Sequence, residues 1–150
     1  MEKRKPIALG ADHGGYELKE SIKKHLDERG ISYRDFGTNS TESCDYPDYA
    51  VPPCDAVIAG VCDKAILCCG TGVGISIAAN KVKGIRACCC SDTFSAKYTR
   101  LHNNANALCM GGRVVGTGLA CEIVDVFLDT AFEGGRHQTR IDKITAIENR

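Results

Sequence analysis

The stretch Ala65-Ile66-Leu67-Cys68-Cys69-Gly70-Thr71-Gly72-Val73-Gly74 decides how this chain folds. Residues 65–69 are apolar throughout, the pattern of a strand covered on both faces of a parallel sheet. Three glycines in the next five positions make a tight turn. Residues 75–81 begin a helix. Strand, glycine turn and helix are the opening of a βαβ unit. The same alternation extends in both directions. Towards the N-terminus, residues 6–11 read as a strand ending in Asp12-His13-Gly14-Gly15. Residues 16–28 read as a helix with Leu18, Ile22 and Leu26 on one face, and Gly30 stops it. Residues 31–36 form a second strand. Residues 38–53 hold Asn, Ser, Asp and three prolines, so a loop is expected there, followed by a short helix over 56–61. Towards the C-terminus come a strand over 85–90 and a helix capped by Asp92-Thr93 that runs towards Leu101. A strand over 107–110 and a helix over 119–130 follow. Gly134-Gly135 breaks that helix, and a polar helix over 136–148 closes the chain with Ile141, Ile144 and Ile147 along one stripe.

Strands alternating with helices predict an α/β fold: a three-layer αβα sandwich around a doubly wound, five-stranded, parallel, Rossmann-like sheet. A single domain over residues 1–150, 43% hydrophobic, can fill one such core. The 19 basic and 19 acidic residues cancel, which gives no footprint for nucleic acid or for an anionic membrane. After Met1-Glu2-Lys3-Arg4-Lys5-Pro6, the apolar run Ile7-Ala8-Leu9 is too short for a signal peptide, so a cytoplasmic location is expected. Ten cysteines without an export signal do not predict disulfides, and no C-x-x-C pair offers zinc ligands. All but one are expected to act as small buried hydrophobes.

In such sheets ligands bind beyond the carboxyl ends of the strands. That rule selects Asp12 and His13, the segment from Cys69 to Gly74, and Ser91 and Asp92. His102 and Asn103 precede the fifth strand and reach this edge only if their loop folds over it. Strand alternation sends Cys68 to one face and Cys69 to the other, where Cys69 opens onto the glycine turn. Backbone N–H groups of the turn and the start of the next helix would hold a negative oxygen and stabilise a thiolate. Such a thiolate can act as base or nucleophile. Other chemistries fail on spacing. The P-loop pattern is absent, Cys69 has Ile75 where a C-x5-R phosphatase loop has arginine, and the glycines do not complete G-x-G-x-x-G. Arg136 and Arg140 share a helix face beside His137, an arrangement that suits a phosphate dianion.

Six segments together resemble one family. They are Asp12-His13-Gly14-Gly15-Tyr16, Asp45-Tyr46-Pro47, the run from Cys69 to Lys81, Arg100-Leu101-His102-Asn103, Gly112-Arg113-Val114-Val115-Gly116, and Glu133-Gly134-Gly135-Arg136-His137. The sequence is similar to the type B ribose-5-phosphate isomerases and to the related galactose-6-phosphate isomerase subunits, over nearly its whole length. The resemblance implies interconversion of D-ribose 5-phosphate and D-ribulose 5-phosphate through an enediolate, without metal or cofactor. It implies Cys69 as the proton-transfer base and the amides of Gly70, Gly72, Val73 and Gly74 as the oxyanion cradle, with Thr71 close by. It implies that His102 assists ring opening. Asp12, His13, Tyr46 and Asn103 would contact the sugar, and Arg113, Arg136, His137 and Arg140 the phosphate. Homodimers, or dimers of dimers, with sites shared between two chains are also implied. Cys88-Cys89-Cys90 lies outside these motifs.

Two alternatives stay open at this level. One is an allose- or galactose-6-phosphate isomerase on the same site. The other is a nucleotide-binding regulatory module in which Asp92 serves as the ribose-binding acid.

Overall fold

The computed structural model describes residues 4–150; residues 1–3, the start of the N-terminal stretch quoted above, lie outside it. Five strands form one sheet: β1 (Ile7–Ala11), β2 (Tyr33–Asp35), β3 (Ala65–Cys69), β4 (Ala87–Cys89) and β5 (Ala107–Gly111). Six helices connect and cover them: α1 (Tyr16–Glu28), α2 (Tyr46–Ile58), α3 (Val73–Ala79), α4 (Thr93–Asn103), α5 (Thr117–Asp129) and α6 (Arg136–Glu148). The strand order is β2-β1-β3-β5-β4, with every pairing parallel. This is the predicted doubly wound α/β sheet. Its winding reverses between β1 and β3, which opens a crevice at their carboxyl ends.

Period-two alternation divides the core into two layers. Leu9, Ile66, Cys68, Leu108 and Met110 face α1 and α5 on one side. Ala8, Leu67, Cys69 and Cys109 face α2 and α3, including Ile75 of α3, on the other. Each fully buried leucine or isoleucine contributes roughly 1.5–3 kcal/mol. A nearly fully buried lysine lies at the first layer. Lys19, 1% exposed, donates to Asp35 Oδ2 at 2.7 Å and so ties α1 to the end of β2. Burial raises the Asp35 pKa, but the bonds from Lys19, Lys23 and the Gly37 N–H outweigh it and leave this carboxyl below the ordinary range.

One helix and the cysteines depart most from the sequence reading. The helix expected over 56–61 begins ten residues earlier, at Tyr46, and includes Pro52 and Pro53. Pro47 in the first turn costs no hydrogen bond. The internal prolines are carried because Ala50, Pro53 and Cys54 are buried, so tertiary packing overrides local propensity. The cysteines also differ from expectation. Cys44 and Cys121 are half-buried; so is Cys88, and Cys89 is exposed, because β4 is an edge strand and only part of it is covered. No described helix is long and apolar enough to cross a membrane.

Candidate active site

Cys69 ends β3 at the crevice between β1 and β3. It is 4% exposed, yet its sulfur faces the turn: Sγ accepts the Gly72 N–H at 3.1 Å. Gly72 has φ 82°, a left-handed conformation that brings its amide back to the sulfur. A side chain there would also meet the carbonyl carbon of Met110 at 2.8 Å. Gly111 on β5 lets the turn lie flat, since a Cβ on it would stand 2.6 Å from the Thr71 carbonyl. The Val73 N–H donates to Thr71 Oγ1 at 3.2 Å, which fixes the threonine on the rim of the turn. Cys68, one position earlier, points into the opposite core layer, and burial pushes its thiol up to about 12.

Three loops interlock around this sulfur. Asp12 Oδ1 accepts the N–H groups of Gly14 at 2.9 Å and Gly15 at 3.2 Å, so one carboxylate oxygen holds the loop after β1. His13 Nδ1 accepts the Cys44 N–H at 3.2 Å. An accepting Nδ1 leaves the proton of the neutral ring on Nε2. After β5, the Gly112 N–H donates to the Cys69 carbonyl at 2.8 Å and the Arg113 N–H to the Gly70 carbonyl at 3.0 Å. The Arg113 guanidinium lies over Gly70, 3.3 Å from where a Cβ would stand, and the Tyr46 ring lies against Gly74. Asp12, His13, Tyr46, Cys69, Thr71, the turn 70–74 and Arg113 thus form one group. It combines a sulfur, a bank of amides and one free cationic head.

The remaining predicted residues form a second group at the other edge of the sheet. Helix α4 starts beside the carboxyl end of β4, where Asp92 caps it by accepting the Ser95 N–H, and runs back about 16 Å. His102 and Asn103 occupy its last turn, at the amino edge, where the Asn103 carbonyl accepts from Arg86 Nε at 3.0 Å. A loop folding over the Cys69 edge was the route expected for these two residues. The structure corrects that: both residues lie in the last turn of a helix, not in a loop. His102 stacks on His137 with ring centroids 4.0 Å apart and planes 10° from parallel. Glu133, unassigned in the sequence reading, approaches His137 Nε2 at 3.4 Å and His102 Nε2 at 4.0 Å. Arg136 and Arg140 are exposed on α6 beside this pair. Burial first, then His102 and Arg136, hold His137 below the ordinary histidine range.

Among the described residues, His102, Glu133 and His137 are the one trio whose ligand atoms lie within 4.8 Å of one another. Their geometry suits a cation poorly. Nearly parallel ring planes do not meet at one point, whereas an imidazole binds a metal in its own plane. The trio instead makes a hydrogen-bonding surface beside the two exposed arginines. Asp92 Oδ1 accepts the Ser95 N–H at 2.6 Å, so this acid, the one a nucleotide reading invokes, serves as the cap of α4. A cavity of about 560 Å³, lined by Asn80, Ile85, Ile144 and Ile147 among others, lies at the α6 side and includes neither Cys69 nor His102.

The sequence model of the family described as Ribose/Galactose Isomerase matches residues 7–144. Ribose-5-phosphate isomerase B of Escherichia coli (strain K12) is 56% identical over 146 residues, 97% of this chain and 98% of the relative. The solved ribose-5-phosphate isomerase B of Clostridium thermocellum superposes with a TM-score of 0.95 at 53% identity, covering 96% of this chain and 97% of its own. That of Mycoplasma genitalium, solved with bound ribulose-5-phosphate, superposes at 0.93 with 42% identity and 99% coverage of both chains.

Proposed function

The chain belongs to the ribose/galactose isomerase family, and we propose that it is a cytoplasmic, cofactor-free enzyme that interconverts D-ribose 5-phosphate and D-ribulose 5-phosphate with Cys69 as its base. The observation that carries this reading is the Cys69 sulfur seated 3.1 Å from the Gly72 amide in the glycine turn between β3 and α3. Aldose–ketose isomerisation removes a proton from C2, places negative charge on the neighbouring oxygen and returns a proton to C1. The thiolate of Cys69 takes and returns that proton. The amides of Gly70 and Gly74 hold the enediolate oxygen, with Thr71 at the rim, while the Gly72 amide faces the sulfur. An oxyanion cradle contributes on the order of 3 kcal/mol to such a transition state. A positioned base adds roughly a hundredfold or more. His13 donates from Nε2 to a sugar oxygen, while Asp12 keeps its loop in place and Tyr46 covers the sugar.

The second group completes the site from another copy of the chain. Within one chain, His102, Asn103, Arg136, His137 and Arg140 sit across the sheet from Cys69, so ring opening and phosphate binding by these residues require a two-copy assembly. The side chains of Val73, Ile77, Phe94 and Val114 stay 51–70% exposed around the Cys69 edge and α4, which supports burial against that copy. In the assembly the partner's arginines supply the dianion clamp, with Arg113 on the Cys69 side.

Purified protein treated with excess chelator should form ribulose 5-phosphate from ribose 5-phosphate, and do so faster than it converts allose or galactose 6-phosphate. Absence of turnover of ribose 5-phosphate, or its loss on chelation, overturns the reading.

A further inference from the structure

Cys88 and Cys90 take no part in the proposed chemistry, but their sulfurs lie 3.6 Å apart on the edge strand. We infer that these two thiols form a chelating site for a thiophilic centre, either a d10 divalent cation or a trivalent arsenical. Four observations bring the pair to this reading. The first is spacing. A tetrahedral centre with bonds of about 2.3 Å to sulfur holds two sulfurs roughly 3.8 Å apart. The observed separation meets that bite with the strand as it stands.

The second is what the strand forbids. Alternate residues of an extended strand are roughly 6.6 Å apart. A direct disulfide needs its Cβ atoms at about 3.5–4.5 Å. The Cys90 N–H donates to the Cys109 carbonyl at 3.0 Å, so pairing with β5 holds this end of the strand extended. One bridging atom fits where a sulfur–sulfur bond requires the strand to buckle.

The third is access. A groove of about 340 Å³ lies between β4 and α4; Cys88, Cys89, Cys90, Thr99 and His102 line it, with Phe94 at its border. Cys90 is 3% exposed, so an incoming centre meets the half-buried Cys88 first. The fourth is ionisation. The bond from Cys90 holds the Cys88 thiol below its ordinary range against its burial, helped by Thr99 and by the Arg100 guanidinium. The same bond pushes Cys90 up. The pair therefore presents one ready nucleophile and one thiol that follows it.

With an organoarsenical oxide the step balances without an oxidant. The arsenic–oxygen bond breaks, two arsenic–sulfur bonds form, and both thiol protons leave with the oxygen as one water. His102 borders the groove, so occupancy should also lower isomerase activity; that consequence rests on the proposed function, whereas binding does not.

The test uses phenylarsine oxide at one equivalent per chain on the reduced full-length protein, read by intact mass and by thiol count. The expected result is one adduct per chain with two thiols lost, stable to a monothiol and released by a dithiol. Cys88→Ser and Cys90→Ser should each lose the adduct, with Cys88→Ala and Cys90→Ala repeating the result and circular dichroism verifying the fold. Cys89→Ser and Cys121→Ser should retain it. Absence of an adduct on the wild type, or an undiminished one on the folded Cys88 and Cys90 variants, overturns the inference. An adduct without loss of isomerase activity leaves the dithiol site standing and counts against the role of His102.

Discussion

Cys68 and Cys69 stand one position apart in β3, and the strand's alternation gives them opposite surroundings. Cys68 meets the apolar layer under α1, where burial keeps its proton on. Cys69 meets an amide 3.1 Å away. This difference was legible before any coordinates, because it follows from period-two alternation and a glycine turn. The partner of His13 was not, since a backbone N–H such as that of Cys44 carries no side-chain signature. Glu133 was visible in its motif but acquired a role only when α6 brought His137 next to His102. That histidine pair yields a pH prediction. His137 is held below the ordinary range, so the folded chain resists a proton that the unfolded chain takes up near pH 6.5. Its penalty is absent at higher pH and grows as pH falls from there towards the folded pKa. His137→Gln should therefore flatten the decline of the urea midpoint between about pH 6.5 and pH 5, relative to wild type. An unchanged slope would mean that the ring titrates alike in both states.

Among the elements, α1, β3 and α6 were readable to the residue because their apolar spacing and glycine punctuation agree. Helix α2 was not, because three prolines argue against a helix locally and only the burial of Ala50 and Cys54 against the sheet decides in its favour. The turn between β3 and α3 shows what a single atom does at this scale. Gly72→Ala places a methyl group in a left-handed position already occupied by the Met110 backbone and the Cys89 sulfur. It should cost upwards of about 1 kcal/mol in stability. Displacing the cradle should also cut turnover by roughly a hundredfold. Gly116→Ala, at a helix cap with open space around it, should stay within about 0.5 kcal/mol of wild type and keep its activity. Thermal melts and steady-state rates of the two variants separate a demanding glycine from a permissive one.

Across the whole molecule, the sequence names candidate site residues but not their distribution over the two edges of the sheet. That distribution depends on the direction of α4, and a helix that returns towards the amino edge takes His102 with it. Mixing two inactive proteins tests the consequence. If each site takes Cys69 from one copy and His102 from the other, Cys69→Ala and His102→Gln subunits reassembled together should recover roughly a quarter of the wild-type rate, because mixed dimers contain one intact site. Sites confined to single chains recover nothing. The measurement closest to the central claim is the rate of ribulose 5-phosphate formation by Cys69→Ala, with ribose 5-phosphate binding followed in parallel by the shift in melting temperature. The variant should bind and stay folded while turnover falls by about 10²–10⁴-fold. A folded Cys69→Ala protein that isomerises at the wild-type rate would show that the sulfur beside Gly72 is not the base.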